Sequence, residues 1–391
     1  MKGPVYAGTG AFSRAGCHRK GGCMKSGKRT AWGILFAAAA FLVITVLAQS
    51  CVEEKDRRNR LGYFMDVDGI SLSSGGKQLT FVGCGHREYA GCTIYRYDRE
   101  ADVLYRYVHE DRLIELSKAR YWSDSDRFLL SFMPRSQDGK PLFDDIQIAI
   151  VNPDGTGFRQ LTEGKGIKAG YMLSPDGKTL VYAKGRERTE GKTPASHFDY
   201  YARDLATGKE TQITDLAFYE TGAPYFTPDG RNIVFNNGSP LKVPGKDDGR
   251  ADEEFRQAYE RKYHGNRIVQ YPVDGSGIKR LPEPWLVHGA GSRNPMITRD
   301  GSLWFEGTTG GIKYYRRYSN GEITQFTNEE LVIGRARYPF RISVDPTGNW
   351  LAILYEEIEN GKGRSVGIFD VSHRKTTSVA VPATAINIAI H

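Results

Sequence analysis

Two observations predict an all-β chain folded as a six-bladed β-propeller of four-stranded antiparallel blades. One unit of turn and strand recurs six times, and a second hairpin comes after most of the copies. The unit is clearest in "YMLSPDGKTLVY" from Tyr171. There Pro175 fixes φ, Gly177 supplies a positive φ, and a second strand leaves the turn. Its relatives begin at Ile70, Tyr121, Pro224, Pro295 and Ile342. The starts lie 51, 50, 53, 71 and 47 residues apart, so five units are alike in length and the fourth carries an insertion.

The second hairpins include "IQIAIVNPDGTGFRQLTE" from Ile146 and "YYARDLATGKETQITD" from Tyr200. Two hairpins make a four-stranded sheet with two faces to bury. Radial stacking against copies of itself buries both.

The element at Ser174 and Thr227, with Asp204 to Thr214 downstream, resembles the repeat of TolB-like six-bladed propellers. Similar blades occur in the propeller domains of prolyl-oligopeptidase relatives. The resemblance covers about residues 62–382 and implies a protein or peptide partner in the cell envelope. It identifies the blade type and leaves the activity open, because many functions share this blade. The closing segment "TAINIAIH" is expected to complete the ring, either by pairing near Leu61 or by adding a strand to an end blade.

Ahead of the repeats, residues 31–48 are apolar and uncharged, preceded by Lys25, Lys28 and Arg29. This is the pattern of a signal peptide or membrane anchor over 24–51, with 1–23 an upstream extension from Met24 and 52–61 a linker. Basic residues before the span direct the chain beyond it outward, to a periplasmic or other extracytoplasmic location. "VLAQSC" resembles a lipobox that would lipidate Cys51, although Ala48 departs from the usual leucine. A lipoprotein, an uncleaved anchor and a secreted protein therefore stay open. The first 50 residues hold seven Lys/Arg and no Asp/Glu, leaving 47 basic against 46 acidic residues beyond them. A nucleic-acid partner loses its compositional support. Beyond Cys51 only Cys84 and Cys92 remain, flanking one hairpin loop, where a disulfide is expected in an oxidising compartment.

In such a blade the Pro-Asp-Gly turns lie on one face and the long, variable loops on the other, where binding usually resides. The fourth loop predicts a helical insertion over 240–266, with Phe255, Tyr259 and Tyr263 as an aromatic stripe. That stripe either packs onto the propeller or forms a lid. Residues entering the innermost strands are expected to line the channel mouth: Arg120, Lys168, Tyr219, His288, Arg293, Arg335, Arg337 and Tyr338. Their basic bias points to an acidic ligand, a peptide C-terminus or an acidic sugar.

No nucleophile elbow, phosphate loop or zinc motif is found, and the histidines at 86, 109, 197, 264, 288 and 373 lack metal-ligand spacing. The sequence thus predicts a binding module, without cofactor or metal, for a protein, peptide or other acidic ligand. The alternative is a carbohydrate-active propeller such as an oligouronide lyase on acidic oligosaccharide, with His197, His264 and His288 converging on a metal.

Overall fold

The computed structural model describes residues 64–391, apart from 86–91, 123–126, 143, 186–196, 220–221, 237, 247–250, 264–266, 286–290, 308–312, 333–336, 358–363 and 380–384. The expected extension, anchor, linker and Cys51 lie outside the described residues. No described helix is long and apolar enough to cross a membrane.

Six sheets succeed one another along the chain, each begins at its innermost strand, and each runs antiparallel through its first four strands. The inner strands are Phe64–Leu72, Ile114–Tyr121, Lys168–Leu173, Tyr225–Phe226, Ser292–Ile297 and Arg337–Val344. We number the blades 1 to 6 in that order. Second strands such as Phe128–Pro134 ("FLLSFMP") are buried along almost their whole length. They face a neighbouring blade on both sides, so both sets of side chains are apolar and strict alternation is lost.

Six apolar clusters fill the six junctions. Leu129 and Ile150 of blade 2 meet Tyr171 and Leu180 of blade 3, and Phe218 of blade 3 meets Phe235 and Tyr271 of blade 4. Val234 meets Phe305, and Trp304 meets Ile353 and Phe369. Leu354 and Ile368 of blade 6 close onto Leu79 and Phe81 of blade 1. Ile94 and Tyr107 meet Leu130 and Phe132. Among the described residues each sheet thus packs on both faces, and blade 6 meets blade 1 to close the ring.

The turn glycines have two reasons to be glycine. Gly177 has φ 71, and a Cβ there would stand 2.6 Å from Trp122 of the preceding blade. Gly76 repeats the arrangement at the ring seam, 2.8 Å from Trp350. In blade 2, the Trp122 N–H donates to Arg127 O, as Ser174 N–H does to Thr179 O. Trp122 therefore occupies the place of Ser174, two residues earlier than pairing Tyr121 with Tyr171 suggests. The even shift keeps the buried face in phase.

The C-terminal strand Ala385–Ile390 pairs parallel with Val103–His109 on the outer edge of blade 1. Of the two closures expected, the chain takes the added strand on an end blade. Ile388 and the fully buried Ile390 pack into the cluster between blades 1 and 2.

In blade 4 the helix Glu253–Tyr263 buries Tyr259 and Tyr263. The Tyr263 hydroxyl donates to Pro282 O at 2.7 Å. The aromatic stripe thus packs onto the junction of blades 3 and 4.

Strands Gln78–Gly85 and Cys92–Asp98 pair so that Cys84 stands directly opposite Cys92; their side chains lie outside the described residues. A cross-strand disulfide at that register is expected to protect both thiols from alkylation until reductant is added. Labelling at either cysteine before reduction would argue against the bond.

Candidate functional site

Five of the six inner strands are irregular. Their pairing to the second strand breaks between Asp68 and Ser71, Leu116 and Lys118, Ala169 and Met172, Arg293 and Met296, and Pro339 and Arg341. Such bulges turn side chains out of the pleat. Gly69, Gly170 and Asn294 take left-handed backbone there, at φ 60, 48 and 53. At Gly170 an added Cβ would stand 2.5 Å from Gly222 O, so blades 3 and 4 leave no room for a side chain.

Around these bulges lies a central cavity of about 680 Å³ to which all six blades contribute. Its lining carries Lys118, Arg120, Arg293 and Arg341 against one carboxylate, Glu306. Asn236 and Asn294 add amides, and Tyr171 and Tyr225 add aromatic rings.

Arg120 is held on three sides. Its guanidinium carbon lies 4.0 Å from the centre of the Tyr225 ring. Its Nη1 donates to Tyr171 O at 3.3 Å and to Pro224 O at 3.4 Å. Among the described residues, the buried Nη2 has no hydrogen-bond partner, and neither has the buried Oδ1 of Asn236. One donor and one acceptor in the same cavity are therefore unspent.

Across the channel, Arg293 Nε donates to Glu306 Oε2 at 2.9 Å. Asn294 Nδ2 donates to the same oxygen at 2.9 Å. Glu306 is only 4% exposed. Burial pushes its carboxyl above the usual range, opposed by Arg293, Asn294 and Arg341.

Of the residues expected at the mouth, Arg120 and Arg293 line this cavity. Lys168 does not. It is fully buried, and its ammonium donates to Lys165 O at 3.2 Å and to Gly164 O, stapling a loop. Burial lowers its pKa. Tyr219 is not among the lining residues and is 57% exposed. Ala217 sits at φ 49, and Asp199 pins the Leu216 and Ala217 amides, turning the connector before Tyr219 toward the surface. Arg337 and Tyr338 open the inner strand of blade 6, opposite Glu357 and Glu356; their side chains, and all of His288 and Arg335, lie outside the described residues. His197 is exposed, and His264 lies outside the described residues. Among the described residues no three His, Cys, Asp or Glu groups are placed to share a metal.

Lys118, Asn236, Asn294, Glu306 and Arg341 were not expected at the site. Lys118, Asn294 and Arg341 lie at or just beyond bulges, where counting by twos along the strand fails, and Asn236 and Glu306 belong to second strands.

No protein-family model matches the chain, and no curated protein does. Among solved structures, TolB from Acinetobacter baumannii is 15% identical with a TM-score of 0.48, over 77% of this chain. This chain spans 62% of the length of that one. A putative TolB from Agrobacterium tumefaciens is 19% identical with a TM-score of 0.44, over 67% of this chain and 80% of that one. An oligogalacturonate lyase from Vibrio parahaemolyticus is 13% identical with a TM-score of 0.45, over 83% of this chain and 78% of that one. At these identities the likeness is one of fold.

Proposed function

We propose that the propeller is an extracytoplasmic binding module that takes a carboxylate-bearing ligand in its central channel. The carrying observation is that, among the described residues, four cationic side chains and one carboxylate line one cavity and Arg120 has a buried N–H without a partner. Charges of one sign gathered around a cleft concentrate anions there. Arg120, fixed by Tyr225 and two carbonyls, loses little freedom on binding, which favours affinity. A protein or peptide of the cell envelope ending in a carboxylate fits this chemistry. The apolar run at 31–48 supports export, with the chain held at the membrane through that segment or through a lipidated Cys51.

A second reading, lyase action on an acidic oligosaccharide, is supported by the same cations, since uronates carry one carboxylate per sugar. Formation of unsaturated products from trigalacturonate would favour it. Binding without turnover favours the module.

The test is titration calorimetry of the full chain with triglutamate and with trigalacturonate. Arg120→Ala and Arg293→Ala are each expected to weaken binding by roughly tenfold or more. Arg256→Ala, on the exposed side of the blade 4 helix, is expected to leave it unchanged. Unaltered affinity in both channel variants would overturn the assignment.

A further inference from the structure

We infer that Glu306 couples anion capture to proton uptake: an anion held by Arg120, Arg293 and Arg341 enters with one proton, which passes from solvent to the Glu306 carboxylate. This rests on the channel reading above and adds to it the thermodynamic partner of the ligand.

Three observations carry it. Glu306 is the only carboxylate lining the cavity among the described residues. It is almost fully buried, and a single oxygen, Oε2, receives both Arg293 and Asn294 at 2.9 Å. It therefore occupies a donor that an incoming anion would use. Asn294 is held at φ 53 while it makes this bond, a backbone conformation that non-glycine residues seldom adopt.

The groups facing Glu306 come from three strands. Arg293 and Asn294 belong to Ser292–Ile297. Tyr314 stands opposite it on Lys313–Arg317, and Arg341 approaches from Arg337–Val344. Among the described residues the Tyr314 hydroxyl is buried without a partner. Burial raises the pKa of Tyr314, and Glu306 adds to that, so the hydroxyl stays neutral beside the carboxylate.

A second carboxylate brought onto the cations that hold the buried Glu306 acts on it as a like charge, and one of the two keeps a proton. The Glu306 carboxyl is already displaced upward by burial, so it takes the proton when a second anion arrives. Protonated, it still accepts from Asn294 through one oxygen and releases Arg293 to the ligand. The carboxyl pKa is then higher in the complex than in the free protein. Affinity therefore rises as pH falls through the range between those two values.

The experiment is titration calorimetry of the full chain with trigalacturonate from neutral to mildly acid pH, repeated in two buffers of different ionisation heat. The expected result is an uptake approaching one proton per ligand, absent in Glu306→Gln. That variant is also expected to bind roughly tenfold more tightly at neutral pH, because a buried like charge is gone. Binding of trigalacturonate to the unmodified chain with no proton uptake overturns the coupling and leaves the channel assignment standing. Equal uptake in Glu306→Gln does the same. Absence of binding by both trigalacturonate and triglutamate overturns the channel assignment and the coupling with it.

Discussion

Replacing Asp199 by alanine is expected to destabilise the propeller by about 3–4 kcal/mol, from buried donors left without an acceptor. The carboxylate is 3% exposed. It accepts from Leu216 N at 2.8 Å, Ala217 N at 3.2 Å and Thr214 Oγ1 at 2.8 Å. Thr214 Oγ1 in turn accepts from Tyr200 N at 2.9 Å, tying the connector between blades 3 and 4 to blade 3. Asp199→Asn keeps one acceptor oxygen and is expected to cost less. Burial pushes the carboxyl from its ordinary 3.8 up to about 6. Between those values the folded state holds more protons than the unfolded one. Stability from this group is therefore present at low pH and lost as pH rises from about 4 to about 6, by about 3 kcal/mol in all. Denaturant titrations at several pH values check both points. A pH slope in Asp199→Asn equal to that of the unmodified chain would assign the slope to other groups.

Gly155→Val is expected to release the C-terminal strand from blade 1. Gly155 has φ 87, and its added Cβ would lie 2.2 Å from Ala389 O and 2.6 Å from Ile388 Cγ2. A backbone oxygen cannot rotate away, so either the turn or the strand must move. The strand is held by its ladder to Val103–His109, by Glu110 N donating to Ile390 O at 3.1 Å, and by burial of Ile390. Losing the two isoleucine contacts and straining the turn is expected to cost about 3–5 kcal/mol. Gly139→Ala is the control: its φ is 80 but nothing lies within 4 Å of the new Cβ, so only the backbone cost of about 1–2 kcal/mol remains. Carboxypeptidase trimming and hydrogen exchange at 385–390 read the release directly. Full protection of that strand in Gly155→Val would show that the turn yields instead.

The blade count was legible because each blade repeats one local pattern. Ser174, Asp176 and Gly177 make their turn from their own neighbourhood, with Ser174 Oγ donating to Asp176 Oδ1 at 2.7 Å. Thr227 and Asp229 repeat it at 2.6 Å. The helix in blade 4 was legible for the same reason, since Phe255, Tyr259 and Tyr263 keep a period of four along one face. Blade 2 was legible only in part, because its turn lacks both Pro and Gly and a two-residue slip preserves the alternation.

The site was half legible. Arg293, at the entry to its inner strand, and Arg120, near the end of its own, were both named from chain order and both line the cavity. Arg341 and Glu306 were not, because Arg341 comes after a bulge and Glu306 lies on a second strand, opposite Arg293. Lys168 and Tyr219 carry the right chemistry at nearly the right positions, and local packing turned both away from the channel.

By itself the sequence determined the blade and the number of blades, since these arise from turn chemistry and two-residue alternation, both local along the chain. Only the tertiary structure decided which charges meet around the axis and where the last strand docks. Those outcomes depend on bulges and on packing between residues more than a hundred positions apart, and the sequence carries almost no local signal of either.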